Sequence, residues 1–277
     1  MAILRSSRLS RAALCVVPLL AAAFGVPASG NPLAGEPQVA PHRAAYSLQL
    51  TSTETGSKVI SVDGGISYEW ADTCDGWAVE QRYLMRVLRV EGPEFVIATS
   101  FATWESKDGR RYRFNVRRMR NGEREDIGGE ATLNANGTGI VRFTAPEEKT
   151  LPLPAGTLFP TAHTLLLLRK AAENARFDRR PVFDGTEAMG ATPVFATILP
   201  HRPASKDAKI ASPLGLDSAW PVFLAFYGSE DKEALPQFEM SMTLQDNGVV
   251  TGVEFDYGDF SVEGKLDIVE PLPAPAC

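Results

Sequence analysis

Apolar and polar positions alternate with period two over most of this chain. In "RAAYSLQL" the residues Ala44, Tyr46, Leu48 and Leu50 share one face and the polar set takes the other, the mark of a half-buried strand. Residues 59–90 carry three such runs, broken at Asp63-Gly64 and Asp75-Gly76, pairs that suit tight turns because they tolerate positive φ. "EFVIATSFATWES" and "RRYRFNVRRMR" flank Lys107-Asp108-Gly109, and Asn121-Gly122 and Asn136-Gly137 close the next two hairpins. After residue 190 come "ATPVFATILP", "WPVFLAFYG", "QFEMSMTLQ", "VVTGVEFDYG" and "FSVEGKLDIVE". The pattern predicts about thirteen strands joined mostly by turns of two to four residues. Hairpin after hairpin without intervening helices means a mainly β fold, a large antiparallel meander coiled into a spiral or barrel-like sheet.

One segment breaks the period. "GTLFPTAHTLLLLRKAAENA", Gly156 to Ala175, reads as the one main α-helix. Pro160 suits a first turn, where its missing donor costs nothing, and Thr161 can cap or begin that turn. Leu165, Leu166, Leu168 and Ala172 form the expected buried stripe. Arg169 and Lys170 favour the C-terminal end of the helix dipole. Such a helix would plug a barrel or cover an open sheet face. His163, near its start, is a candidate ligand or catalytic residue, with a packed, neutral, hydrogen-bonded histidine as the simpler expectation.

The first thirty residues are set apart by composition. Arg5, Arg8 and Arg11 precede the apolar "AALCVVPLLAAAFGV", and the small residues of "PASGN" follow. This is the pattern of a secretory signal peptide cleaved between Ala28 and Gly30, and the apolar run is short for a membrane span. Cys15 lies inside the apolar stretch rather than after it, which argues against lipoprotein attachment. A Pro/Gly/Ala linker occupies 31–41, and no compositional break divides 42–277, read as a single β domain. The full chain carries 28 basic and 34 acidic residues for a net charge of −6, and losing three leader arginines leaves about −9. An acidic exported chain is a poor nucleic-acid binder. No later run of about 18 apolar residues calls for a span in the processed chain.

Export changes the meaning of the two remaining cysteines. Cys74 and the C-terminal Cys277 form an even pair, which in an oxidising compartment predicts a disulfide. Closing a loop of roughly 200 residues is worth about 5 kcal/mol in the chain-entropy model. A free thiol and an intermolecular bridge are the alternatives.

Recognisable catalytic chemistry is sparse. His42, His163 and His201 are far apart, with no HExxH and no Cys–His spacing, so no metal and no cofactor is expected. Gly228-Ser229 lacks the second glycine of a nucleophile elbow. Glu147-Glu148, Glu230-Asp231 and Asp256 with Asp259 are acidic pairs without the context of a glycosidase. Seven arginines interleave with aromatics over 110–124, and period two makes this a two-faced strand, Tyr112, Phe114 and Val116 inward, Arg111, Arg113 and Arg117 outward. Trp77 and Trp104 are candidate ligand-stacking residues, with a core or rim role as the plainer alternative.

Several of these stretches together resemble one family. "HRAAYSLQL" (42–50), "ISYEWADTCDGWAVEQRY" (66–83), "TSFATWESKDGRRYRF" (99–114), "LPAGTLFPTAHTLLLL" (153–168), "WPVFLAFY" (220–227), the stretch 235–266 and the final "PLPAPAC" are similar in order and spacing to the EipB-like cell-envelope integrity proteins. The resemblance spans essentially the whole processed chain. It implies a periplasmic protein with a spiral antiparallel sheet and a disulfide between the positions of Cys74 and Cys277. It carries no catalytic residue set, and the 204–219 loop departs from the pattern.

The expected function is that of a periplasmic, non-enzymatic protein supporting envelope integrity by binding an envelope protein or wall-associated ligand. The alternatives are a secreted hydrolase of cell-wall polymer and a periplasmic carrier of lipid or peptide.

Overall fold

The computed structural model describes residues 37, 39–203, 214–216, 218–228, 235–273 and 275–277. The expected signal peptide, most of the linker, Glu230-Asp231 and most of the 204–219 loop lie outside the described residues. Chain order runs β1 (His42–Thr53), β2 (Val59–Asp72), β3 (Gly76–Arg89), β4 (Phe95–Ser106), β5 (Arg111–Arg120), β6 (Glu123–Leu133), β7 (Gly139–Ala145) and β8 (Lys149–Leu153). Helix α1 (Pro160–Ala172) follows, then β9 (Phe177–Val182), β10 (Thr192–Ile198), β11 (Arg202–Pro203), β12 (Ser218–Phe226), β13 (Phe238–Gln245), β14 (Val250–Asp256) and β15 (Phe260–Pro271).

All of these strands belong to one antiparallel sheet, ordered β8-β7-β6-β5-β4-β3-β2-β1-β15-β14-β13-β12-β10-β9, with β11 beside β12. The fold is mainly β with one helix, and the sheet does not close. Its edges are β8 and β9, the strands that flank α1 in sequence. The chain thus leaves one edge, forms the helix and returns as the other edge. Leu158 helps join the two ends: its N–H donates to Pro181 O (3.1 Å) and its carbonyl accepts from Phe183 N (3.0 Å).

The sheet curls tightly. Tyr83 on β3 meets Phe255 on β14 edge-on, ring centroids 6.3 Å apart, although three strands separate theirs in the sheet order. The Tyr46 hydroxyl on β1 donates to Val250 O on β14 at 2.7 Å. The buried face contains three apolar clusters. One joins β1, β2, β3 and β15 through Ala44, Tyr46, Leu48, Ile66, Met85 and Leu266. A second joins β5–β8 with Phe159 and Phe183, where Tyr112 stacks on Phe159 at 5.0 Å. In the third, Leu167, Leu168 and Ala171 of α1 pack on Val194, Ile198, Val222 and Leu244. Each Val, Leu, Ile, Phe or Met side chain among them contributes about 1.5–3 kcal/mol on burial.

Three features differ from the sequence expectation. Asp63-Gly64 is not a turn but lies within β2, so 59–90 holds two long strands rather than three. A Cβ at Gly64 would run into the Leu84 carbonyl oxygen of β3, so glycine serves close backbone approach there. Strands β8, β9 and β11, of five, six and two residues, are too short to show a clear period in the sequence; β8 and β9 carry Pro152 and Pro181, which sheet edges tolerate. The buried side of α1 is Thr161, His163, Leu167, Leu168 and Ala171, while Leu165 and Leu166 are half-buried and Ala172 is exposed. The stripe is rotated from the expected one because the helix packs with its first turn held against β4. On β5 the expected two-faced pattern is present, Tyr112, Phe114 and Val116 buried and Arg111, Arg113 and Arg117 exposed.

Candidate functional site: a cavity inside the coiled sheet

The helix fixes one wall of the interior. Its N-cap residue, Phe159, makes no side-chain cap. The cap comes from across the molecule. Glu105, at the end of β4, accepts the N–H of Thr161 on Oε2 (2.7 Å) and that of Ala162 on Oε1 (2.8 Å). These are two of the amides a helix start leaves unpaired, and a carboxylate there also meets the positive end of the dipole. Burial pushes the Glu105 carboxyl up to about 7, against the two amide bonds, which pull it down. The β4–β5 turn supports it: Ser106 Oγ accepts from Arg110 N (3.2 Å) and Arg111 N (2.9 Å). Asn174, at positive φ, closes the other end of the helix, where Ala175 N donates to Lys170 O.

Between this helix and the sheet lies a cavity of about 220 Å3. Tyr46, Tyr68, Trp70 and Gln81 form one wall, Met240, Met242, Val253 and Phe255 the opposite one, and Thr164 of α1 lies between them. Every side chain of the lining is uncharged, given that burial lowers the basicity of His42 against its bond to Ala40 O. His42 pairs with Trp70 across β1–β2, and Tyr68 with Gln81 across β2–β3, so the hydrogen-bonding groups lie on neighbouring rungs. The Trp70 ring meets Tyr68 edge-on at 6.4 Å and Trp77 at 6.0 Å. The Trp70 indole N–H is buried without a hydrogen-bond partner.

The residues singled out from sequence sit at separate places. Cys74 and Cys277 are joined by a disulfide with Cα atoms 5.8 Å apart, tying the chain end to the β2–β3 turn. Both are exposed. Asp72 accepts Cys74 N on Oδ1 at 2.9 Å and pairs with Lys107 through Oδ2 at 2.8 Å. Trp77 and Trp104 lie on either side of this corner but on opposite faces, since Trp77 pairs with Glu105 and Trp104 with Ala78. The Lys107 ammonium lies over Trp77 at 3.2 Å. Trp104 donates to Thr73 Oγ1 (3.1 Å) and is flanked by the guanidiniums of Arg111 and Arg113.

His163 is buried on α1 beside the charges of Asp178 and Arg180, and its Nε2 has no partner. Burial drives its basicity down to about 4, with Asp178 raising it and Arg180 lowering it. Asp178 is itself engaged, bound by Arg180 (2.8 Å) and Lys170 (3.2 Å). Burial pushes this carboxyl up, but those two cations outweigh it and hold it below its usual value. The three histidines do not converge: His42 packs on Tyr68 and Trp70, and His201 on Trp220. Among the described residues no group of three or more His, Cys, Asp or Glu side chains is placed to hold a metal ion, and no helix is long and apolar enough to cross a membrane.

Sequence reasoning missed the cavity wall and Glu105. The inward series 44, 46, 48 and 50 was readable from period two, but which inward faces oppose each other depends on the curl of the sheet.

The sequence model of the EipB-like family matches residues 33–273. The chain belongs to the EipB-like family. A relative named cell envelope integrity protein EipB, from Brucella abortus (strain 2308), is 30% identical over 268 residues, covering 95% of this chain and 94% of the relative. The crystal structure of a beta-barrel-like protein of a domain of unknown function, also from Brucella abortus, superposes with a TM-score of 0.79 at 28% identity. It covers 85% of this chain and 99% of that one. That likeness to an EipB-like fold accords with a large antiparallel sheet left open at its edges.

Proposed function

We propose that this protein is exported to the periplasm by a signal peptide at residues 1–30, followed by a linker at 31–41 and a β domain at 42–277. There it supports envelope integrity by binding rather than by catalysis. The carrying observation is the near full-length kinship with a protein named for cell envelope integrity. The interior chemistry supports the binding half of the reading. Glu105 and Asp178, the buried carboxylates among the described residues, are engaged in holding α1 and in pairing with Arg180 and Lys170. The cavity is lined by uncharged groups, which suits an apolar ligand better than acid–base work.

The test is a deletion strain of the host, grown under detergent stress and complemented with the full chain or with a form lacking residues 1–30. The full chain should fractionate with the periplasm and restore growth, and the leaderless form should do neither. Full rescue by the leaderless form would overturn the reading, as would turnover of purified peptidoglycan abolished by one acidic substitution.

A further inference from the structure

The half-open cavity between β1–β3, α1, β13 and β14 has chemistry left over once the needs of the fold are met. Trp70 is 4% exposed, forms part of the cavity wall, and carries a buried N–H with no partner. A buried donor left unmade is costly, so one that persists beside a cavity points to an acceptor carried by something that enters it.

We propose that the cavity binds one acyl chain joined through an ester or amide, with the methylenes against Met240, Met242, Val253 and Phe255 and the carbonyl oxygen accepting from the Trp70 N–H. This rests on the binding reading given above and names its ligand class. Three observations select that chemistry. The lining carries no charge, and a carboxylate buried without a partner is strongly disfavoured, so a free fatty acid fits poorly where an ester or amide fits well. Met240 and Met242, side by side on one face of β13, offer an adaptable surface suited to a flexible chain. A cavity of 220 Å3 holds about six to ten carbons, given that an apolar cavity of ~150 Å3 holds benzene. The rest of a longer acyl group, and whatever it is attached to, would lie outside.

The test is calorimetric titration of the processed full chain at pH 8 with methyl octanoate and with octanoate. Methyl octanoate should bind saturably, one per chain, and octanoate at least tenfold more weakly. Trp70→Phe should weaken the ester about five- to tenfold, the loss of one hydrogen bond, and Met242→Trp, which fills the cavity, should abolish binding. Thermal melting of both variants reports whether they are folded, and the ester–acid comparison on the native protein stands without them. Dioctanoyl phosphatidylglycerol and an amidated N-octanoyl tripeptide distinguish a glycerolipid from an acylated protein as the source. No saturable ester binding, octanoate binding as tight as the ester, or unchanged affinity in either folded variant would each overturn the proposal. These titrations use purified protein, so their failure is separable from failure of the export and envelope reading, which fractionation and growth decide.

Discussion

Glu105 on β4 caps helix α1 through the backbone amides of Thr161 and Ala162, residues 56 and 57 positions further along the chain. The helix joins the two free edges of the sheet and packs on β9, β10, β12 and β13, so this carboxylate ties one wall of the coil to the element that braces the other. Glu105→Ala leaves two amides unpartnered in a dry place and should cost about 2–4 kcal/mol. Urea denaturation reads the cost, and amide exchange at Thr161 and Ala162 should accelerate selectively. Exchange that speeds up uniformly would mean the cap is not local.

Two buried groups should give opposite pH dependences. Glu105 titrates near 7 in the folded chain against 4.5 for an ordinary glutamate. The folded state therefore holds a proton that the unfolded state has released between those values, and stability falls as pH rises through the window, by about 3 kcal/mol at most. His163 titrates near 4 against 6.5. The unfolded state there binds the extra proton, so stability falls as pH drops from 6.5 to 4, again by about 3 kcal/mol. Glu105→Gln should lose stability on acidification from 6.5 to 4.5 more steeply than the wild type, and His163→Phe less steeply. Parallel profiles for all three proteins would contradict both assignments.

The link between Cys74 and Cys277 closes 203 residues of sequence separation. Reduction, or Cys74→Ser, should lower stability by about 3–5 kcal/mol. Thiol labelling of the unreduced processed protein should find neither cysteine reactive, and labelling of both would refute the pairing.

Gly64→Ala should destabilise by at least about 2 kcal/mol, because the added methyl meets the Leu84 carbonyl across the β2–β3 ladder. Gly56→Ala is the control for positive φ alone, since a Cβ there meets nothing within 4 Å. Equal costs at the two sites would show that backbone conformation, not close approach, selects glycine at 64.

The long hairpins were legible because period-two burial is written locally, as in Tyr112, Phe114 and Val116 against their arginines. The two edge strands were not, because at five and six residues they are too short to show a clear period. The same Asp-Gly pair type signals a turn at 75–76 and a close strand approach at 63–64, and only the neighbouring strand decides between them. Glu105 carries no sequence mark of its role, since its partners belong to a helix placed by the closing of the sheet. The cavity wall assembles residues from both ends of the chain, Tyr46 to Gln81 and Met240 to Phe255, which only the curl brings face to face. The family resemblance, read from the order of whole segments, reached what local pattern could not.

The most direct test of binding inside the coil as the basis of envelope function is complementation by Met242→Trp in the deletion strain. The variant must be confirmed as exported and folded by fractionation and melting. The account predicts that it accumulates normally in the periplasm yet leaves cells as sensitive to detergent as the deletion. Restoration of wild-type growth by a folded Met242→Trp protein would contradict it.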